Sequence, residues 1–346
     1  ISFDLRRAAL TVAVAILAGC AASRTVKYDE VEMVRAETEE RPEALLDVGI
    51  LLFDPGVPED QEEPDGFVFP DVRRAEARYM PYHLKNTLEA SGHWGSVWVL
   101  PEFSEAVDVI VWGRVDHSDG LKAEVRVGAW DATGREWLNK VYKTQVPEKA
   151  YSSYRDTSQD PYQNVYNSIA NDLLEIRQEM SSEELEDVRQ VAELRFASNL
   201  VPVAFGDHLE NDEGNYSIRR LPAENDPMLT RLRAVREREY LLMDTLNEYY
   251  AGLYYELGQP YEDWRKMSRE ESLKYQELKR SARIRQLLGL AAILGAVAYE
   301  AQGGGNSAIT TAAIFGGIEG IKSGFGKSAE ADIHRESLRE LGDSFD

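Results

Sequence analysis

The sequence predicts an α+β fold in which an N-terminal antiparallel sheet with flanking helices precedes a mostly α-helical half. Three observations carry this prediction: alternating apolar runs before residue 146, apolar residues at helical spacing after residue 161, and an almost uncharged glycine-rich stretch near the C-terminal end. The 346 residues are 43% hydrophobic and 29% charged, which is typical of globular proteins and not of disordered ones.

Short apolar runs predict the strands of the sheet, at residues 48–53, 96–100, 108–115, 121–130 and 137–146. The run 121–130 alternates cleanly, with Lys122, Glu124 and Arg126 on one face and apolar side chains on the other. Because the segments 118–120 and 131–134 have the glycine-containing chemistry of hairpin turns, we expect antiparallel strands.

Helical spacing of apolar residues predicts helices at residues 71–89, 161–180, 185–197, 228–257 and 268–285. Ser181 and Glu184 form a capping-box pattern before the third of these helices. Gly258 and Pro260 are typical helix breakers, so the fourth helix is predicted to end there.

Tyrosines cluster on the fourth predicted helix and have two interpretations. They could line a groove that stacks on a glycan or peptide, or they could pack one side of the helix on its neighbours. The tyrosines are Tyr240, Tyr249, Tyr250, Tyr254 and Tyr255.

The first twenty residues combine a short basic segment with an uncharged apolar run from Ala8 to Cys20. This run is shorter than the ~20 apolar residues of a transmembrane helix and has the length of a secretory signal. It ends in Leu17-Ala18-Gly19-Cys20, which resembles the lipobox of bacterial lipoprotein precursors, and Cys20 is the only cysteine in the sequence. The resemblance implies a signal peptide at 1–19, cleavage before Cys20 and acylation of that cysteine.

The residue after the cysteine bears on which membrane holds the protein. Ala21 stands where lipoproteins retained in the inner membrane often have aspartate. The resemblance therefore implies an outer-membrane protein that is anchored in the lipid through acylated Cys20 and faces the periplasm. The polar residues that follow predict a lipidated tether at 20–44.

The rest of the chain is predicted to comprise an α+β domain at 45–180, a helical domain at 181–285, a glycine-rich apolar hairpin at 286–326 and a polar tail at 327–346. The order strand, helix, strands, helix in the first domain resembles periplasmic lipoproteins of the curli-secretion-channel type, whose subunits form rings. This resemblance implies a homo-oligomer or association with other envelope proteins.

The second arm of the predicted hairpin carries a small residue at every fourth position, a glycine-zipper pattern that lets helix backbones approach closely. This predicted helix-packing ribbon consists of Ala308, Ala312, Gly316, Gly320 and Gly324. Each arm spans at most about 25 Å, less than the ~30 Å hydrocarbon core of a bilayer. The hairpin could therefore lie against the helical half, dip into the membrane or form a contact between subunits.

Charge, cysteine and histidine content narrow the functional classes. The chain has 61 acidic and 39 basic residues, a net charge of −22, and no basic patch, so we expect no nucleic-acid partner. A single cysteine excludes an internal disulfide and a cysteine-based zinc site. The five histidines lack metal-ligand spacing and no nucleophile or nucleotide motif is found, so the sequence predicts no metal, no cofactor and no catalytic residues.

Together these observations predict a non-catalytic outer-membrane lipoprotein that serves as a structural or assembly component of a cell-envelope complex, such as secretion, export or appendage machinery. The alternative is a cell-wall glycan-binding module or a peptidoglycan-acting enzyme that uses the tyrosine-rich helices.

Overall fold

The computed structural model describes residues 30–58, 62–63, 66–146, 148–151, 159–301 and 319. Its strands are β1 (Val48–Leu51), β2 (Glu62–Glu63), β3 (Gly66–Phe67), β4 (Val97–Leu100), β5 (Val109–Ser118), β6 (Lys122–Asp131), β7 (Glu136–Gln145), β8 (Leu209–Asp212) and β9 (Asn215–Ile218). Its α-helices are α1 (Pro70–Ser91), α2 (Gln163–Glu179), α3 (Ser182–Leu200), α4 (Pro202–Phe205) and α5 (Pro227–Ala301). The predicted α+β class is confirmed.

The main sheet is mixed, so the prediction of an antiparallel sheet is wrong for one half of it. The strand order is β4-β1-β5-β6-β7, and β1 runs parallel to both β4 and β5. Helix α1 connects β1 to β4 and returns the chain to the end of the sheet from which β1 began, which makes the two strands parallel. The predicted hairpin turns do join β5, β6 and β7 into an antiparallel half.

Both faces of the sheet are covered by helices. Val109 and Val111 of β5 belong to the larger apolar core, which α1, α2 and α3 complete on one face. Ile110 of the same strand and Trp98 of β4 point to the other face, where Met243 of α5 packs against them. The alternation of neighbouring residues between two apolar layers explains why these strands are apolar at almost every position.

The capping box that opens α3 is confirmed. The Ser181 hydroxyl accepts the backbone N–H of Glu184 at 3.2 Å, and the Glu184 carboxylate accepts the backbone N–H of Ser181 at 2.8 Å. These reciprocal bonds satisfy two donors that the first helical turn leaves without partners.

Helix α5 corrects the prediction of two helices separated by a break. It runs for 75 residues and passes through Gly258 and Pro260 without ending. A proline inside a helix costs ~3 kcal/mol, because it removes one backbone hydrogen bond and crowds the preceding turn. Tyr261 and Trp264, which follow directly, are buried in the large core, and their packing keeps the helix continuous.

The chain that precedes the sheet is held along α2 by asparagine side chains. Asn164 accepts the N–H of Val31 at 3.1 Å, and Asn171 accepts the N–H of Val34 at 2.9 Å. Asn167 donates to the carbonyl of Val31 at 2.7 Å. Because the three asparagines lie on one face of α2, this part of the predicted tether follows the helix surface.

Among the helices in the described ranges, none combines the length and the apolarity needed to span a membrane. The first arm of the predicted hairpin, up to residue 301, continues α5 as helix.

Candidate functional site

Among the described residues, the candidate site with the most side-chain hydrogen bonds between elements is the contact region of α5. There this helix covers the free edge of β4 and then contacts α1. At the edge, the side-chain amide of Asn247 brackets one strand residue. Its oxygen accepts the N–H of Val99 at 2.9 Å, and its nitrogen donates to the carbonyl of Val99 at 3.1 Å and to that of Met243 at 2.8 Å. Asn247 thus gives an edge strand the two hydrogen bonds that a neighbouring strand would supply.

Two further contacts hold α5 on this side of the sheet. The indole N–H of Trp98 donates to the carboxylate of Asp244 at 2.7 Å. The ring of Tyr240 stacks on Trp98 with 4.8 Å between centroids, and its hydroxyl donates to the carbonyl of Ala106 at 2.8 Å. The helix is therefore positioned by directional bonds as well as by apolar contact.

Further along α5, a buried ion pair joins this helix to the segment that precedes α2. One nitrogen of Arg265 lies 2.9 Å from each carboxylate oxygen of Asp160, and both side chains are only 2% exposed. Burial alone would raise the pKa of Asp160, but the charge of Arg265, together with hydrogen bonds from Arg265 and from the backbone N–H of Tyr162, lowers the net pKa. Tyr79 of α1 donates to the same carboxylate at 3.2 Å, so the pair links three parts of the chain.

A second buried acid, Glu76 of α1, lies beside this pair. One of its oxygens accepts hydrogen bonds from Tyr261 of α5, at 2.6 Å, and from Ser118 of β5. The other oxygen lies 3.8 Å from Nε of Arg73, whose guanidinium donates to the carbonyl of Val115. Burial raises the pKa of Glu76 in spite of the nearby Arg73 charge. We call Arg73, Glu76, Asp160, Tyr261 and Arg265 the helix-docking cluster.

A glycine sets how closely α5 approaches the β5–β6 turn. Gly120 has a φ of +75°, and a Cβ atom there would lie 2.1 Å from the carbonyl oxygen of Arg265. The neighbouring Asp119 carbonyl accepts the hydroxyl of Ser268 at 2.9 Å. The turn therefore requires glycine both for its backbone conformation and for the helix that lies on it.

The tyrosines of α5 divide between packing and exposure. Tyr254 stacks on Tyr79 with 4.5 Å between centroids and forms a 2.7 Å hydrogen bond with Nδ1 of His83. By contrast, Tyr249 is 75% exposed and Tyr255 is 74% exposed. The helix-packing interpretation therefore describes Tyr240 and Tyr254, whereas Tyr249 and Tyr255 face solvent and Tyr250 is partly buried.

A charged cleft opens at the amino ends of β1, β4 and β5. Its volume is about 520 Å³, and its charged lining residues are Asp47, Asp108, Arg189 and Arg236. Asp47 accepts the N–H of Ser96 at 2.8 Å, and Asp108 accepts the N–H of Asp47 at 2.9 Å. Because both carboxylates bind backbone amides, they fix the starts of the strands. We call this cavity the amino-end cleft.

Within this cleft, the surroundings of Asp108 shift the pKa of its carboxyl group. Burial raises its pKa to about 6, against an opposing effect of Arg236, whose guanidinium lies 3.3 Å from the carboxylate. The same guanidinium donates to the carbonyl of Ala106 at 2.8 Å, so the pair also connects α5 to the sheet.

The described residues offer no cluster of histidine, cysteine, aspartate or glutamate able to hold a metal ion. His83 binds Tyr254 and Gln163, and His93 binds Glu40 at 2.8 Å. These imidazoles are occupied by structural partners. The chemistry that the two acid sites support is hydrogen bonding and charge pairing between elements.

The site residues predicted from the sequence are not among the residues that the structure describes. Cys20 lies outside the described residues, and so does the whole small-residue ribbon, Ala308, Ala312, Gly316, Gly320 and Gly324. The helix-docking cluster was not predicted. A signal for it exists, because Arg73 and Glu76 stand one helical turn apart on the side of α1 where Ala77 and Met80 are buried.

Comparison with protein-family models found no match to this chain, and comparisons with curated proteins and with solved structures found none either.

Proposed function

We propose that this chain is a non-catalytic lipoprotein of the outer membrane, anchored through acylated Cys20 on the periplasmic face, and that it serves as a structural or assembly component of a cell-envelope complex. Secretion, export and appendage machinery are the classes of complex that fit the resemblance of its sequence. The lipobox at 17–20, with no aspartate after the cysteine, supports the anchor and the choice of membrane.

The observation that carries the structural role is the way α5 is mounted. Buried contacts fix it to the sheet through Asn247, to α1 through Tyr261 and to the segment before α2 through Arg265. It nevertheless continues for more than thirty residues beyond Arg265. After Ser272, Ala282 is the only residue that is buried, among those of α5 whose burial is described. A helix of this length, about 110 Å at 1.5 Å per residue, with its buried contacts concentrated before residue 273 among the residues whose burial is described, suits a part that connects components.

The anchor is tested by the intact mass of the protein purified from membranes. The mature chain should begin at Cys20 and carry three acyl chains. Cys20→Ser should abolish acylation and leave a soluble or unprocessed product. The matched variant Ala21→Asp should keep the acyl chains but move the protein to the inner membrane. A mature N-terminus elsewhere, without lipid, would overturn the proposal.

The assembly role is tested by the mass of the particle extracted in detergent. A particle larger than one chain supports the role, and a strictly monomeric particle that binds no other envelope protein contradicts it.

The glycan-binding alternative now depends on the two tyrosines that α5 leaves in solvent. Tyr249 and Tyr255 offer the exposed rings that stacking on a sugar requires. Pulldown with purified peptidoglycan compares the wild-type chain with the double variant Tyr249→Ala/Tyr255→Ala. Binding that the double variant loses favours this alternative, and turnover of the glycan would favour the enzyme.

A further inference from the structure

The side of α5 that faces away from the sheet carries a regular exposed stripe. Starting at Arg231 and stepping alternately by four and three residues to Asp263, every position of the stripe is exposed. This average spacing of 3.5 residues is the spacing of a coiled-coil seam. We call these positions the outer stripe.

In the middle of the outer stripe, large exposed side chains stand beside a glycine that has no side chain. Leu242 is 59% exposed and Tyr249 is 75% exposed, whereas a Cβ atom at Gly252 would meet nothing within 4 Å. Met243 and Asn247, on another side of the helix, already contact the sheet. The outer stripe thus has large side chains and an open notch, both of which the described residues of one chain leave uncovered.

The charges of the outer stripe are separated along the helix. Arg231 and Arg238 lie toward its start, whereas Glu256 and Asp263 lie toward its end. In a parallel pair of such helices each arginine would meet the same arginine. In an antiparallel pair with its two-fold axis level with residue 247, position 238 faces 256 and position 231 faces 263. The same alignment places Leu242 opposite Gly252, a large side chain opposite the notch.

We propose that two copies of this chain pair through their outer stripes as antiparallel helices, with Arg238 and Arg231 of each copy facing Glu256 and Asp263 of the other. The inference deepens the proposed assembly function and rests on it only in requiring that copies of the chain associate. Lipid anchoring is a separate matter, since no residue of the stripe belongs to the lipobox.

The experiment compares single and double charge reversals in the full chain, purified in detergent, by analytical ultracentrifugation. Arg238→Glu and Glu256→Arg should each weaken the dimer about tenfold, because two opposite-charge contacts become two like-charge contacts. The double variant Arg238→Glu/Glu256→Arg should restore wild-type association. An equal mixture of the two single variants should pair with each other in preference to themselves, since every contact in that mixed dimer is again between opposite charges.

Two variants control for the change in net charge. Arg283→Glu and Glu237→Arg alter exposed positions of α5 outside the outer stripe and should leave association unchanged. Higher salt should reduce the differences between the stripe variants, because exposed charge pairs are screened.

The proposal is overturned if the wild-type chain shows no self-association, if either single reversal leaves association unchanged, or if the double variant does not recover. If the copies associated through the ribbon at 308–324 instead, the single charge reversals would leave association unchanged. If any of these results is obtained while lipidated protein is found in the membrane fraction, the proposed lipid anchor stands. Only the proposed pairing through α5 is then rejected.

Discussion

Asn247 shows how much of the fold depends on a single planar amide. Only a side chain that carries a donor and an acceptor at the same distance can bind both the N–H and the carbonyl of Val99. The residue is 7% exposed, so water does not replace a lost partner there. Aspartate has the same shape but accepts only.

Asn247→Asp is therefore expected to destabilise the protein by at least about 2 kcal/mol at neutral pH, because a carboxylate oxygen would face the carbonyls of Val99 and Met243. The loss should shrink as the pH falls, since a protonated aspartate regains a donor. Urea unfolding measures both effects. Glu248→Gln, at the exposed neighbouring position, should change stability little, and an equally large loss there would contradict the argument.

Asp108 makes the stability of the protein depend on pH in a defined direction. Its folded-state pKa of about 6 lies above the ordinary value of 3.8, so protonation favours the folded state. The stabilising contribution is complete below pH ~4 and is lost as the pH rises through about 6. Relative to Asp108→Asn, the free energy of unfolding of the wild-type chain should thus rise by about 2 kcal/mol from pH 7 to pH 4. A constant difference between the two proteins across that range would contradict the assignment.

At the scale of elements, the sequence predicts those helix and strand features that depend on residues close together in the chain. Ser181 and Glu184 are three residues apart, and the helix start that they predict is present. The continuity of α5 is decided by remote contacts. Tyr261 donates to Glu76, 185 residues away in the sequence, and Tyr261 and Trp264 pack in the large core; together these contacts offset the breaker at Pro260. The direction of β1 relative to its neighbours is equally hidden, because apolar patterning is the same for parallel and antiparallel strands buried on both faces.

Gly120 tests how closely α5 must lie on the sheet, and Gly214 supplies a matched control. Both have positive φ, but a Cβ atom at Gly214 would meet nothing within 4 Å. Gly214→Ala should cost about 1–2 kcal/mol, from backbone conformation alone. Gly120→Ala should cost clearly more and should speed hydrogen exchange in α5 near Ser268. Equal losses in the two variants would mean that the helix contact contributes nothing.

At the scale of the whole molecule, two separate surfaces are proposed or predicted for helix packing. The outer stripe lies on α5, and the small-residue ribbon lies in the segment at 308–324, outside the described residues. The two make different demands: the first needs complementary charges at a distance, and the second needs small side chains in close contact.

The double variant Gly316→Leu/Gly320→Leu is expected to reduce either particle size or melting temperature, because leucines force apart whatever packs on the ribbon. If stability is lost, the decrease in the free energy of unfolding should exceed the ~1–3 kcal/mol that is typical of overpacking. Gly317→Leu, off the ribbon, should be milder. Wild-type size and melting temperature in both variants would show that the ribbon is not a packing surface.

The asparagines of α2 have a consequence for where the folded part of the protein can stand. They hold the chain from Val31 onward, so only residues 21–30 separate Cys20 from that hold. The eleven residue steps from Cys20 to Val31 reach at most about 40 Å even when fully extended. With Cys20 in the membrane, as proposed, Val31 stays within that distance of the lipid surface. Since α5 is about three times as long as this reach, the same molecule can touch the bilayer at one point and a component far from it at another.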